Sequence, residues 1–567
     1  MVKLPALFET KVKALVCAVL LAWMFFYWFQ TAMDMKHQFT GYPLMDYWIA
    51  AIKLPSYEKF DFPVLWEQHN EHRVTVPEFT FAVDDLLFGA RGLFPISLNA
   101  LFQLLTFTAF AWVIWADKLL SPYLRLAAIA MGGIVLGWPG ISYVLSYPFL
   151  LVWTIIQFMM CAALLLLIRK HTALPVLCAV IATFSAGHGM LLWPVLLLFG
   201  FILQIGWYRL AALSVTGAAS ILLYFHNLVG SNDVAARRFL HEPTWFAGFV
   251  VSMLSMPFGV DRRIFGLWVG TLSLVWFTTI ALIAWRNRLL RETPAVVLFG
   301  LCILSLLTVM LCGVGRTLPG FWDYPTAKVA RYLSVPVCYW ASLLMATFWV
   351  LARSRCQPAV VWAAVCLTAS AMAYQFPHIA PWLNLQFDMY SRQQSAVVAM
   401  ESGVTCDNIV TSDLYPYPQV VYRWDPLLKQ RRLSIYADSR FAWVGQPVST
   451  LSTVSSATPA QGGVTTILPF ACATQLAGWS EDTARDLLLV NERGIVAGLA
   501  RRLPAGLPLY LPNNWARLSP RENWTGFVNP TVPSLTVQPY AISPDSRSVR
   551  QVGLPVPLSA ASAASIK

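Results

Sequence analysis

The sequence predicts a mainly α fold: a polytopic transmembrane helical bundle of about 11 spans with a mostly β domain at its C-terminal end. Three observations carry that expectation. The 567 residues are 57% hydrophobic and 14% aromatic, with only 12% charged and a mean hydropathy of +0.58, a composition outside the range of most soluble domains. Apolar runs of spanning or near-spanning length recur up to residue 375 and stop there. The short connections between those runs are basic on alternate sides only.

The first 13 residues are short and basic, and 14–30 are apolar. The bulky Phe25-Phe26-Tyr27-Trp28-Phe29 leaves no small-residue cleavage site, so this is expected to be a retained first span. Further runs follow at about 97–116, 121–138, 147–168, 172–186, 190–206, 208–226, 264–285, 294–312, 333–352 and 358–375. The stretch 172–206 reads either as a broken hairpin or as one long helix.

With the N-terminus in the cytoplasm, the cytoplasmic connections are 118–125, Arg169-Lys170, Trp207-Tyr208-Arg209, 286–291 and Arg353-Ser354-Arg355, each short and basic. The opposite face receives 31–96, 139–146, 185–189, 227–263, 313–332 and everything after the last run. The net charge of +12 is therefore assigned to orientation and to anionic headgroups, with no nucleic acid as partner.

From about residue 376 Pro, Ser, Thr, Asn and Gly become common. The segments 464–468, 509–511 and 524–528 read as strands, and 482–489 as a helix. The expected domains are thus a membrane domain over 1–375 that includes the first external loop 31–96, a soluble domain over 376–545, and a disordered tail over 546–567. The ten cysteines show no metal-ligand spacing; Cys406 and Cys472, alone in the polar third, permit a disulfide.

Chemistry concentrates in loop 31–96. Within Trp66-Glu67-Gln68-His69-Asn70-Glu71-His72-Arg73, five of eight residues carry charge or exchange protons. Asp46 and Asp61 lie upstream. His69 and His72, three apart, would share one face of a helix, which with a carboxylate would suit a metal. Asp84-Asp85 reads as a solvated pair or a helix-start acid. Gly187-His188-Gly189, before Trp193-Pro194, suits a helix break lining a cavity or a tight turn between spans. Arg316, Lys328 and Arg331, with Tyr324 and Tyr332, put cations on the face where the positive-inside bias does not expect them. A guanidinium there fits a phosphate or pyrophosphate, and a facing carboxylate fits a general base.

These motifs resemble those of the bacterial GT-C glycosyltransferases. The likeness rests on Asp46-Tyr47-Trp48, His69-Asn70-Glu71-His72-Arg73, Ser185 through Trp193-Pro194, Gly315-Arg316-Thr317 with Arg331-Tyr332, and Leu414-Tyr415-Pro416 followed by Leu433-Ser434-Ile435-Tyr436. The similar members include O-antigen-modifying and type IV pilin-modifying transferases.

The resemblance implies an inverting hexosyl- or pentosyltransferase of the bacterial inner membrane, with its C-terminal domain in the periplasm. It would move a sugar from a polyprenyl-phosphate donor to a hydroxyl of a periplasmic glycan, lipid or protein. Asp46 matches the catalytic acid, with Glu71 and Asp61 behind it. His69, Asn70, His72, Arg73, His188, Arg316, Tyr324, Lys328, Arg331 and Tyr332 match substrate contacts. The family's acidic motif usually has two adjacent acids, whereas Asp46 stands alone. Some relatives use a divalent metal and others none, so no cofactor is assigned and metal dependence stays open.

A transporter or flippase of a lipid-linked or anionic solute is the alternative. It would need ionisable residues deep within the spans and a pseudo-repeat, and the sequence offers neither. An assembly protein would use the C-terminal domain but not the clustered acids, histidines and arginines of the other external loops.

Overall fold

The computed structural model describes residues 6–229, 243–258, 263–315, 329–354, 356–375, 380–455, 458–470, 472–503 and 523–558. In chain order its helices are α1 (Ala6–Gln38), α2 (Trp48–Glu58), α3 (Thr75–Leu87), α4 (Leu93–Ala116), α5 (Pro122–Leu136), α6 (Ser142–Ser146), α7 (Leu151–Ile168), α8 (Ala173–Thr183), α9 (Leu192–Ile202) and α10 (Trp207–Phe225). They continue with α11 (Pro243–Leu254), α12 (Arg263–Arg286), α13 (Thr293–Gly315), α14 (Ser334–Arg353), α15 (Pro358–Gln375), α16 (Ala380–Glu401), α17 (Asp407–Asp413) and α18 (Pro418–Arg431). A two-stranded hairpin, β1 (Gln68–His69) and β2 (His72–Arg73), precedes α3. The contacts divide the chain into one unit of 1–38, 60–80 and 94–383 and a second of 39–59, 81–93 and 384–567.

The first unit is helical. Among the described residues seven helices are long and apolar enough to cross a membrane, or up to eight if the bent pair 122–136 and 139–146 counts as one span. Each expected apolar run is a helix, but about eleven spans are not reached. The shortfall lies in the runs at 172–186, 190–206 and 358–375, whose helices are short. An 11-residue helix such as α8 rises only ~16 Å, against the ~30 Å of hydrocarbon. A further short apolar helix, α11, lies in what reads from sequence as a connecting loop.

α14 is the centre of this unit: every residue from Ser334 to Val350 is buried. It packs against α5 and α13, and α5 packs in turn against α1. Lipid tails are as apolar as these side chains, so close packing has to hold the helices together. Gly133 of α5 allows one such approach, since a Cβ there would stand 2.4 Å from the Met24 sulfur.

The irregular backbone after α5 is stitched by buried polar side chains. Gln103 donates to the Leu136 carbonyl at 2.8 Å, Asn99 to the Val144 carbonyl at 2.7 Å, and Gln38 to Ser142 Oγ at 2.8 Å. Backbone that leaves the helix inside a bundle needs such partners.

The second unit carries a nine-stranded sheet ordered β3-β10-β9-β6-β7-β8-β5-β4, with β11 beside β9. The strands are β3 (Thr453–Val454), β4 (Gly462–Phe470), β5 (Ala473–Ser480), β6 (Asp486–Asn491), β7 (Val496–Arg502), β8 (Trp524–Val528), β9 (Thr536–Ile542), β10 (Ser548–Gln551) and β11 (Val556–Pro557). Pairing is antiparallel except between β3 and β10. Leu476, Leu487, Leu489, Trp524 and Val537 belong to its core.

Two expected β stretches are strands here, while 509–511 falls outside the described residues. Three expectations are corrected. Residues 486–491 form β6 and not part of a helix, because Leu487-Leu488-Leu489-Val490 is a continuous apolar run buried inside the sheet. The segment before the sheet is helical, in α16 to α18, and not β. The C-terminal stretch is not disordered from 546: β10 and β11 pair with β9, and Val549 and Val552 are buried. A disulfide joins Cys406 to Cys472, the pairing the sequence permits.

Candidate functional site

In the first unit the site grows from the hairpin. β1 and β2 pair Gln68 with Arg73 and His69 with His72, around a two-residue turn in which Asn70 takes φ +48°. Asparagine tolerates that left-handed conformation, which is why this turn closes tightly. The shared helical face expected for His69 and His72 is therefore wrong. They are cross-strand partners whose side chains stand on one face of the hairpin, with Gln68 and Arg73 on the other.

The two faces do different work. Arg73 is only 4% exposed and spends its guanidinium on backbone carbonyls. Its Nε donates to Tyr224 at 2.8 Å, and its two terminal nitrogens to Trp66 and His226. The guanidinium lies 4.9 Å from the Trp66 ring centre, and the Tyr224 hydroxyl accepts from the Arg73 amide at 3.1 Å. Gln68 pairs with both backbone groups of Val229 at 2.8 Å. This face clamps the hairpin to the end of α10 and the residues after it. Arg73, expected to contact substrate, spends three of its five guanidinium N–H groups on these backbone carbonyls and so staples the hairpin in place.

On the opposite face, His69 meets the edge of Phe149 at 5.0 Å between ring centres. His72 lies against Gly187: a Cβ on that glycine would stand 3.1 Å from His72 Nδ1 and 3.2 Å from the Tyr224 hydroxyl. Glu71, at the turn and half-buried, has an oxygen 3.9 Å from His72 Nε2. Asn70 is exposed, its amide 3.0 Å from His69 Nε2.

The break between α8 and α9 supplies the next group. Residues Gly187–Leu191 form a 3-10 turn. Gly189 is required there, since a Cβ would stand 1.8 Å from the Ala182 carbonyl oxygen. Trp193 Nε1 donates to Thr183 Oγ1 across the break at 2.9 Å. His188 is 8% exposed and stacks on Trp153 with ring centres 4.2 Å apart, its Nε2 without a hydrogen-bond partner. Trp153 also meets Tyr332 edge-on at 5.8 Å, and the Arg331 guanidinium lies 5.2 Å from the Tyr332 ring centre. Two histidine-bearing elements, an aromatic shelf and one arginine thus gather in this unit.

Asp61 is exposed, just before the short helical turn Phe62–Trp66. Arg316, Tyr324 and Lys328 lie outside the described residues. Among the described residues no three His, Cys, Asp or Glu side chains gather as a metal site.

Asp46 belongs to the second unit, half-exposed in the helical turn Met45–Tyr47. The Met45 amide donates to the Leu414 carbonyl at 2.6 Å. Burial, then the Asp46 and Tyr417 charges, push the neighbouring Tyr415 phenol up from its ordinary value. The Leu414-Tyr415-Pro416 stretch thus stands beside Asp46. Ser434 donates through its amide to Gly89 and through its hydroxyl to Gly41, and Tyr42 and Tyr436 both donate to Asp425 Oδ1, at 2.6 and 2.7 Å. The second quoted stretch, 433–436, therefore locks onto the same loop.

Asp84 and Asp85 are not solvated. They are 0% and 3% exposed. Asp84 accepts from the Tyr47 hydroxyl at 2.9 Å and the Gly92 amide at 2.6 Å. Both Asp85 oxygens lack a hydrogen-bond partner, and burial, then the Asp84 charge, hold its carboxyl well above the usual range.

Phe149, Trp153 and Tyr224 carry no motif in the sequence. An aromatic residue at the end of an apolar run looks the same whether it faces lipid or a site. Compared with known proteins, the chain matches no family model, no curated protein and no solved structure.

Proposed function

We propose that this multi-pass membrane protein is a GT-C-like glycosyltransferase of the bacterial inner membrane. It moves a sugar from a polyprenyl-phosphate donor to a hydroxyl of a periplasmic glycan, lipid or pilin-like protein of the cell envelope. The observation that carries the reading is the hairpin: Arg73 anchors one face to backbone, leaving His69 to face Phe149 and His72, with Glu71 beside it, to face the His188 break. Chemistry on a rigid support of this kind loses little to disorder.

The acceptor oxygen forms its bond to the anomeric carbon as the bond from that carbon to the donor phosphate oxygen breaks. A carboxylate takes the acceptor proton, with Asp46 first and Glu71 second in order. The lipid phosphate leaves with the bonding electron pair, and the histidines and Arg331 stabilise its charge. A single displacement inverts the anomeric centre. Aromatic rings such as Trp153 and Tyr332 offer apolar faces to a sugar or to the first isoprene units.

Orientation is part of the proposal: N-terminus in the cytoplasm, the hairpin and C-terminal domain in the periplasm. The charge pattern of the short loops supports it. The Cys406–Cys472 disulfide supports it too, since such bonds persist in oxidising compartments.

Single-turnover transfer by Asp46→Asn and Glu71→Gln tests the roles. The base variant loses at least ~100-fold in rate while donor binding stays within about twofold. Full activity in both variants would remove the carboxylate mechanism.

A further inference from the structure

One end of the helical unit carries a cavity that the transferase reading does not use. It lies where α9 gives way to α10 and α12 to α13, with a volume of about 750 Å³, within the usual range of ligand sites. Trp207, Leu210, Trp285 and Leu290 supply its apolar walls, and Arg288 and Arg291 its charge. Both tryptophans are 66% exposed, and both arginines are exposed.

The acids at this end are already engaged. Arg353 bridges Glu292 and Asp117, with its Nε 3.6 Å from Asp117 Oδ2, and Trp349 Nε1 donates to the same oxygen at 2.7 Å. Glu292, next in sequence to Arg291, is therefore turned to another partner. Among the described residues no carboxylate pairs with Arg288 or Arg291. Arg288 holds φ +58°, in the turn that presents it at the end of α12.

Two uncompensated guanidiniums beside two exposed tryptophans, at the end of apolar helices, call for a ligand with an anionic head and an apolar body. We propose that this groove binds an anionic phospholipid, with the phosphate on Arg288 and Arg291 and the glycerol backbone and first methylenes against Trp207, Trp285, Leu210 and Leu290. Guanidinium forks match phosphate oxygens, and tryptophan prefers the headgroup level. A neutral lipid would leave the two cations without a counter-charge, and a soluble phosphate would leave the apolar walls unused. The inference does not depend on the transferase reading.

The test is native mass spectrometry of the full-length protein in neutral detergent. Phosphatidylglycerol and phosphatidylcholine of identical acyl chains are titrated, with glycerol 3-phosphate in a separate arm. Phosphatidylglycerol is expected to be retained in preference to phosphatidylcholine. In Arg288→Gln/Arg291→Gln its affinity falls about 30-fold, at about a factor of five per cation. Arg288→Lys/Arg291→Lys keeps most of the preference, and Arg286→Gln, outside the groove, keeps all of it. Equal retention of the two lipids by wild type overturns the proposal whether or not the glutamine variant folds. So does an undiminished preference in that variant. Glycerol 3-phosphate binding as tightly as phosphatidylglycerol would assign the groove to a soluble phosphate and overturn the lipid.

Discussion

Replacing Arg73 separates a staple from a substrate ligand. The side chain gives charged hydrogen bonds to the Trp66, Tyr224 and His226 carbonyls and packs on the Trp66 ring. A hydrogen bond to a charged group contributes ~1.5–3 kcal/mol, and such values do not add fully. Arg73→Ala, which also loses the ring contact, should cost the local structure ~4 kcal/mol. Arg73→Lys keeps one of the three acceptors and should cost ~3 kcal/mol. Opening of the hairpin then becomes ~100-fold more frequent in the lysine variant. Amide hydrogen exchange, read on peptides covering 66–74, should rise by about that factor, while peptides within α14 stay unchanged. Exchange at the wild-type rate in both variants, together with lost sugar transfer, would refute the staple and return Arg73 to the substrate.

Further consequences follow from each unit in turn. The folded Asp85 carboxyl titrates well above its unfolded value of ~4, so folding takes up a proton. The stability tied to this group is complete below about pH 4 and is lost as pH rises toward the folded value. Asp85→Asn should flatten that decline in thermal melts between pH 4 and 8, and an unchanged slope would contradict it. Removing the disulfide frees a loop with a sequence separation of 66 in the unfolded chain, a stability loss of about 4 kcal/mol through chain entropy. Cys406→Ala/Cys472→Ala should then lower the protease resistance of the sheet, and equal resistance would mean that its core suffices. Gly189→Ala would drive a methyl into the Ala182 carbonyl, so expression and melting point should fall sharply; a wild-type melt would show that the break has room to move.

The helices were legible because apolar runs and basic loops are properties of composition, which survive any detail of packing. Where the structure departs from the sequence reading, long-range contacts decide. The sequence leaves the apolar run at 172–206 open between a broken hairpin and one long helix, and only the approach of Gly189 to the Ala182 carbonyl decides for two short helices. His69 and His72 are three apart, a spacing that suits a helix and a two-residue hairpin alike; only Asn70 at the turn hints at the second. Nothing local to Arg73 says that its donors will find the carbonyls of Tyr224 and His226, some 150 residues on. Asp84-Asp85 reads as hydrophilic in sequence, yet Tyr47 and the Gly92 amide draw Asp84 inside. Asp46 and the stretch at 414–416 were each visible, but only folding sets Tyr415 beside the acid.

The central claim is sugar transfer from a lipid phosphate, and the most direct measurement supplies labelled donors. Membranes carrying the wild-type chain would be offered a panel of radiolabelled polyprenyl-phosphate sugars, with lipid, polysaccharide and protein fractions separated afterwards. The account predicts that label from at least one donor enters a single acceptor fraction with inverted anomeric configuration, and that Asp46→Asn at equal protein level stops it. Label that crosses the membrane still attached to its carrier, with no transfer from any donor, would contradict the account and favour a flippase.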